Sequence, residues 1–215
     1  MKQDLKLSEK LFSLAVNPTR GGIIRSSYSL LGITLSGSVM LELMRKGLIS
    51  IDNGVVRIVD PSIQQDEIHE YFMRPIRRHR KDRKLRTWIS WFNGWPRKLH
   101  RAYIRQLVSK NVLRVEERRF LFISYNKVLV MDKILVENIS REVKDVLLGK
   151  TESNDETVIL AQMAEKSKLL GRILSDRSER KIASSNLKKV PETPVAKAVK
   201  EVVQMMRAGY VAATS

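Results

Sequence analysis

Cysteine is absent from the 215 residues, which excludes disulfides, thiolate nucleophiles and cysteine-held metal and fits a reducing compartment. Histidine is scarce as well. The three present, His69, His79 and His100, have no metal-ligand spacing, and Glu67-Ile68-His69-Glu70 lacks the second histidine of a zinc helix. No nucleophile elbow, phosphate-cradling glycine loop or distinctive carboxylate pair occurs, so the expectation is a protein that is not an enzyme and takes no cofactor or metal. The chain also lacks any run of the roughly 18 apolar residues that a membrane span needs. Residues 1–16 are interrupted by Asp4, Lys6, Glu9 and Lys10, so the chain reads as cytoplasmic and unexported. The last shortage is of acid: 23 Asp and Glu face 40 Lys and Arg, a net charge of +17 and a pI of about 10.3. That excess calls for an anionic partner, which is nucleic acid, an anionic membrane surface or an acidic protein.

What is present is concentrated in one stretch. Residues 71–119 hold 16 Lys and Arg against 3 acids, so +13 of the +17 lies there and the other 166 residues are nearly balanced. The run Arg74, Arg77, Arg78, Arg80, Lys81, Arg83 and Lys84 reads as a phosphate-contacting strip, against the plainer reading of a solvated helix face. Trp88, Trp91 and Trp95 follow i, i+3, i+7 and share one face if the segment is a single helix. They read as packing residues, with the headgroup region of a membrane as the rival setting. Pro96 suits a first helical position, and Arg97, Arg101 and Arg105 then recur at i, i+4, i+8 beside His100, where like charges repel unless an anion bridges them.

Taken in order, Leu5, Leu7, Leu11 and Leu14 predict a first helix over about 8–16 with Ser8 as its cap, ended by Asn17, Pro18 and the Gly21–Gly22 pair. A second helix is predicted over 32–46 and closed by Gly47. The runs 48–51 and 55–59 flank Asn53–Gly54, a type I′ hairpin signal. The stretch 107–115 overlays 43–51 at an offset of 64 residues, with Asn111 in the place of Gly47, and Glu116 to Arg119 are expected to turn into 120–123. Beyond Tyr125 the pattern is helical: one helix up to Gly149, one carrying Val158 to Leu174 after a cap at Asn154 or Asp155, a polar helix or extended segment over 178–190, and a last helix over about 195–207. The fold class read from this is mainly α, a single globular helical domain over 1–215 with one or two β-hairpins.

Four stretches together resemble the Golgi phosphoprotein 3 family. These are 5–16, where Leu5 and Leu7 alternate ahead of Glu9 and an apolar run; 35–47, where Gly37 precedes Glu42-Leu43 and a basic residue ahead of Gly47; 105–122, a helix leading into a hairpin; and Met163-Ala164 with Ser167-Lys168-Leu169-Leu170. The resemblance covers nearly the whole chain. It implies a mostly helical peripheral membrane protein that binds phosphatidylinositol 4-phosphate or another anionic lipid, with an apolar hairpin, here Phe120, Leu121 and Phe122, beside the lipid site. The short start resembles that of bacterial relatives. The family's loop tryptophan falls near Ser27 and one arginine on Ser36, while its later basic pair falls on Arg97 and His100. The resemblance therefore implies a headgroup site of Arg97, His100 and Arg101, with Arg25 and Tyr28 standing in for the missing loop groups. A protein client or a homo-oligomer is a further expectation. Nucleic acid remains the alternative partner, because a winged helix also ends in a hairpin.

Overall fold

The computed structural model describes residues 4–79, 81–120, 123–150 and 154–214, and for residues 120, 123, 207 and 209–214 the backbone alone. α1 (Leu7–Ala15) starts one residue early, and Ser8 is not its cap. Instead Glu9 Oε2 accepts from the Lys6 amide at 2.8 Å and Glu42 Oε1 from the Ser8 amide at 2.7 Å, so two carboxylates meet the free donors of the first turn. α2 (Tyr28–Arg45) is the axis of the molecule, and every residue from Leu30 to Leu41 is buried. Its polar positions need no outside partner: Ser36 Oγ donates to the Gly32 carbonyl at 2.7 Å and Ser38 Oγ to the Thr34 carbonyl at 2.9 Å. β1 (Ile49–Asp52) and β2 (Val55–Ile58) form the expected hairpin, with Asn53 and Gly54 both at positive φ, 51° and 74°.

α3 (Glu67–Arg78) opens on Asp66, whose carboxylate accepts from the His69 amide at 2.8 Å. β3 (Arg83–Lys84) adds a third antiparallel strand to β2, and α4 (Leu85–Asn93) follows at once. α5 (Pro96–Ser109) has proline at its first position as expected. β4 (Leu113–Phe120) and β5 (Ile123–Val130) pair in register from Leu113↔Val130 to Phe120↔Ile123. Glu116 to Arg119 therefore lie within a strand rather than a turn, because their partners Lys127 to Ser124 continue the ladder.

The remaining helices are α6 (Lys133–Leu147), α7 (Asp155–Lys166), α8 (Leu170–Ile173), α9 (Arg177–Lys189) and α10 (Pro194–Thr214). Asn154 caps α7, accepting from the Thr157 amide at 2.8 Å. The stripe from Val158 to Leu174 is not one helix: Lys168 adopts a φ of 59° and breaks it. α1, α4, α7 and α10 pack around α2, and the core runs through all of them from Leu5 to Val203. Gly37 lets α10 come close, since a Cβ there would collide with the Val199 side chain. The architecture is mainly helical with two small antiparallel sheets.

The offset of 64 residues holds in three dimensions at the level of hydrogen bonds. Leu48 N donates to Leu43 O at 3.0 Å and Val112 N to Leu107 O at 2.9 Å. Gly47 and Asn111 close the two helices at φ of 70° and 53°. On the far side of each hairpin the chain returns to the same place, with Val59 N bonded to Leu48 O and Met131 N to Val112 O. The units also reach a shared buried network from equivalent positions. Glu42 Oε2 lies 2.8 Å from His69 Nε2, and its counterpart Gln106 donates from Nε2 to Asp66 Oδ2 at 2.7 Å. Lys46 Nζ sits 3.2 Å from His69 Nδ1, and its counterpart Lys110 donates to Glu9 Oε2 at 2.7 Å. Lys6 pairs with Asp66 as well. Burial alone would raise the Asp66 carboxyl, but the bonds from Lys6 and the His69 amide outweigh it and hold it at about 2.

Candidate anion-binding site

Gly94 ends α4, so Trp95 falls outside the helix that carries Trp88 and Trp91 and caps the start of α5 instead. The three tryptophans thus do not share a face. Trp88 is core at 3% exposure, whereas Trp91 and Trp95 are 44% and 62% exposed. Behind Trp95, Pro96 lacks an amide hydrogen and the Lys98 and Leu99 amides donate to the Trp95 carbonyl at 3.1 and 3.2 Å, which leaves the Arg97 amide as the open donor of the first turn of α5. Over this turn opens a cavity of about 550 Å³ between Trp95, Pro96 and the side chains of Arg97, Lys98, Arg101 and Arg105, with no acidic residue in its lining. Arg105 is paired with Glu67 at the outer end, and Lys98 Nζ lies 5.2 Å from the centre of the Tyr71 ring. Arg97 and Arg101 make no ion pair with another described residue. The spacing of Arg97, Arg101 and Arg105 that is visible in the sequence becomes a cationic edge along one cavity.

His100 lies on the other side of the same helix turn. It is 3% exposed, held edge-on between Phe12 at 5.8 Å and Tyr28 at 5.3 Å, and neither ring nitrogen has a hydrogen-bond partner among the described residues. Burial drives its pKa down to about 4, so the ring is neutral at pH 7. Tyr28 is half exposed and covers His100 from the first turn of α2, while Arg25 is exposed on the turn just before it. Gly32 lets α2 come close to the end of α4, because a Cβ there would lie 2.5 Å from Asn93 Oδ1. Tyr28 is thus packed against α5 through His100, while Arg25 lines neither this contact nor the cavity.

The basic run divides among three elements. Arg74, Arg77 and Arg78 sit on the last turns of α3, Lys81 in the loop and Arg83 and Lys84 in β3, while Arg80 lies outside the described residues. Arg77 is tied to Glu70 and to the Ser62 carbonyl at 3.1 Å, and Arg83 stacks over Trp88 at 5.6 Å. No single strip results, because α3 ends at His79 and the chain changes direction. A groove of about 620 Å³ does form between α3 and the α4–α5 corner, walled by Tyr71, Arg74, Arg78, Trp91 and Lys98. It adjoins the first cavity through Lys98. α3 and this groove have no counterpart among the elements expected from the sequence, although the sequence carries a signal for α3. The signal was Asp66 as a cap followed by Ile68, Phe72, Met73 and Ile76 at helical spacing. Of the expected apolar hairpin, Leu121 and Phe122 lie outside the described residues, and Phe120 is described by its backbone as the last residue of β4.

A family model described as Golgi phosphoprotein 3 (GPP34) matches residues 7–206. The chain belongs to the Golgi phosphoprotein 3 family. A search of curated proteins returned no match. Membership in this family fits a lipid-binding, peripheral protein at the level of the family as a whole. No helix among the described residues is long and apolar enough to cross a membrane. The nucleic-acid alternative asks each helix–hairpin unit for a recognition helix with a free face. α2 has none between Leu30 and Leu41.

Proposed function

We propose that this Golgi phosphoprotein 3 family member is a peripheral membrane protein that binds anionic lipid headgroups, phosphatidylinositol 4-phosphate-like ones among them, at the start of α5. The observation that carries this reading is the cavity lined by Arg97, Lys98, Arg101 and Arg105 with no acid among them. A phosphate seated there meets the Arg97 amide and the positive end of a helix together with two guanidinium groups that no described acid pairs. Tyr28 packs on His100, and neither it nor Arg25 lines this cavity. His100, being neutral and buried, contributes by holding Tyr28 and α5 in place rather than by charge. Near an anionic leaflet each cation adds about 1 kcal/mol, so Arg97, Lys98 and Arg101 together give roughly 3 kcal/mol, enough for reversible attachment.

The test is co-sedimentation with vesicles of matched net charge at fixed ionic strength, comparing phosphatidylinositol 4-phosphate with phosphatidylglycerol and adding duplex DNA as competitor. Phosphoinositide preference that disappears in Arg97→Ala and Arg101→Ala supports a headgroup pocket. Equal binding to all anionic vesicles reduces the reading to a basic membrane-attaching surface. Displacement of the protein from every vesicle by DNA transfers it to nucleic acid.

A further inference from the structure

Of the three tryptophans only Trp88 is used by the core. Trp91 and Trp95 leave much of a large apolar ring in water, an arrangement that sheds the free energy available from burying it. Their setting is specific. Trp91 walls the groove beside α3, Trp95 walls the cavity over α5, and Lys98 lines both, so the two rings lie on one continuous surface. Trp91 is propped by edge-on contacts to Phe92 at 5.0 Å and Trp88 at 6.2 Å, which fix its orientation. Around the rings stand Arg74, Arg78, Arg97, Lys98, Arg101 and Arg105. The two acids of this surface are already engaged, Glu67 by Arg105 and Glu70 by Arg77 and Arg74, so the surplus is positive.

We infer that Trp91 and Trp95 are interfacial anchors that enter the boundary between headgroups and acyl chains of an anionic bilayer, with the groove between α3 and the α4–α5 corner facing the lipid. This rests on the membrane reading above and adds the orientation and depth of docking. Indole suits that boundary, having an apolar body and one N–H donor, and neighbouring cations supply the attraction to anionic headgroups. The alternatives fit the chemistry less well. A second copy of the chain docking through the same patch would set like charges against each other under two-fold symmetry. The centre of a protein–protein interface is depleted of charge, whereas here Lys98 and the arginines lie between the rings.

The experiment uses the full chain with phosphatidylcholine–phosphatidylglycerol vesicles whose acyl chains carry bromine, a short-range quencher of indole fluorescence. Sedimentation is measured in parallel. The expected result is quenching and a blue shift in the wild type, each reduced in Trp91→Phe and in Trp95→Phe and nearly lost in the double variant, where the buried Trp88 remains as internal control. In Trp91→Ala and Trp95→Ala the vesicle partition coefficient should fall roughly tenfold each, with unchanged far-ultraviolet circular dichroism. Sedimentation with vesicles but no quenching, or quenching that survives in the double variant, overturns the anchor assignment and leaves the headgroup reading standing. Failure to sediment at all overturns that reading, and this one with it.

Discussion

In the first helix–hairpin unit α2 is covered from Leu30 to Leu41; in the second, α5 turns Arg97, Arg101 and Arg105 toward water. At the offset of 64 residues these arginines occupy the positions of Ile33, Gly37 and Leu41. One helical edge thus serves as the packing surface for α10 in one unit and as the wall of a cationic cavity in the other. The hairpins diverge in the same way. β1 and β2 have four residues each and accept β3 as a third strand, whereas β4 and β5 run to eight residues and form a sheet of their own. What the units keep in common is the part that closes on itself locally: the left-handed residue at the helix end, the bond from the next amide back to the last turn, and the polar reach toward the first turn of α3. What they do not share is decided by which neighbours are at hand.

Substitutions at equivalent positions can break this comparison. Gly37→Val should cost about 3 kcal/mol in urea unfolding, because the new side chain must displace Val199 and α10, while Arg101→Val should stay within about 0.5 kcal/mol. Equal costs would mean that α2 and α5 are packed alike. Glu42→Ala strands the His69 ring and the Ser8 amide and should cost about 3 kcal/mol; Gln106→Ala removes one bond to an Asp66 that keeps Lys6 and the His69 amide, and should cost about 1 kcal/mol.

The third prediction concerns pH. His100, at the position equivalent to Ser36, has its folded pKa depressed from 6.5 to about 4 by burial. The unfolded chain therefore takes up a proton between those values while the folded one does not. The stabilisation is complete above pH 6.5 and is lost as pH falls through about 4. At 1.36 kcal/mol per unit this amounts to about 3 kcal/mol as a ceiling. Stability measured against pH in His100→Phe should lose that slope; a slope that persists would assign it to other groups. The smallest effect sharpens the comparison. Gly47→Ala forces a side chain into a φ of 70° and should cost about 1 kcal/mol, whereas Asn111→Gly relieves a non-glycine residue at 53° and should be neutral or stabilising by a few tenths of a kcal/mol.

Several of these features were legible in the chain. Asn53–Gly54 dictated the first hairpin, Pro96 the start of α5, and Gly47 and Asn111 the ends of two helices, since each depends on backbone conformation that those residue types favour locally. The edge of Arg97, Arg101 and Arg105 was legible because helical periodicity alone brings it together. His100 shows the limit. Its spacing set it among the arginines, yet the ring turns inward because Phe12 from α1 and Tyr28 from α2 provide an apolar slot that no local pattern announces. The tryptophans failed similarly: the i, i+3, i+7 pattern presumed one helix, and Gly94 divides it.

By itself the sequence determined that this protein is rich in helix, that its positive charge is gathered into less than a quarter of the chain, and that two helix–hairpin units recur, because propensity, turn chemistry and composition act over a few residues at a time. Tertiary structure alone decided which helix is buried on all sides, which carboxylates cap α1, which tryptophans reach water, and which cations are left unpaired around a cavity. Those outcomes turn on contacts between residues far apart in the chain, where burial, ion pairing and packing compete for the same side chains.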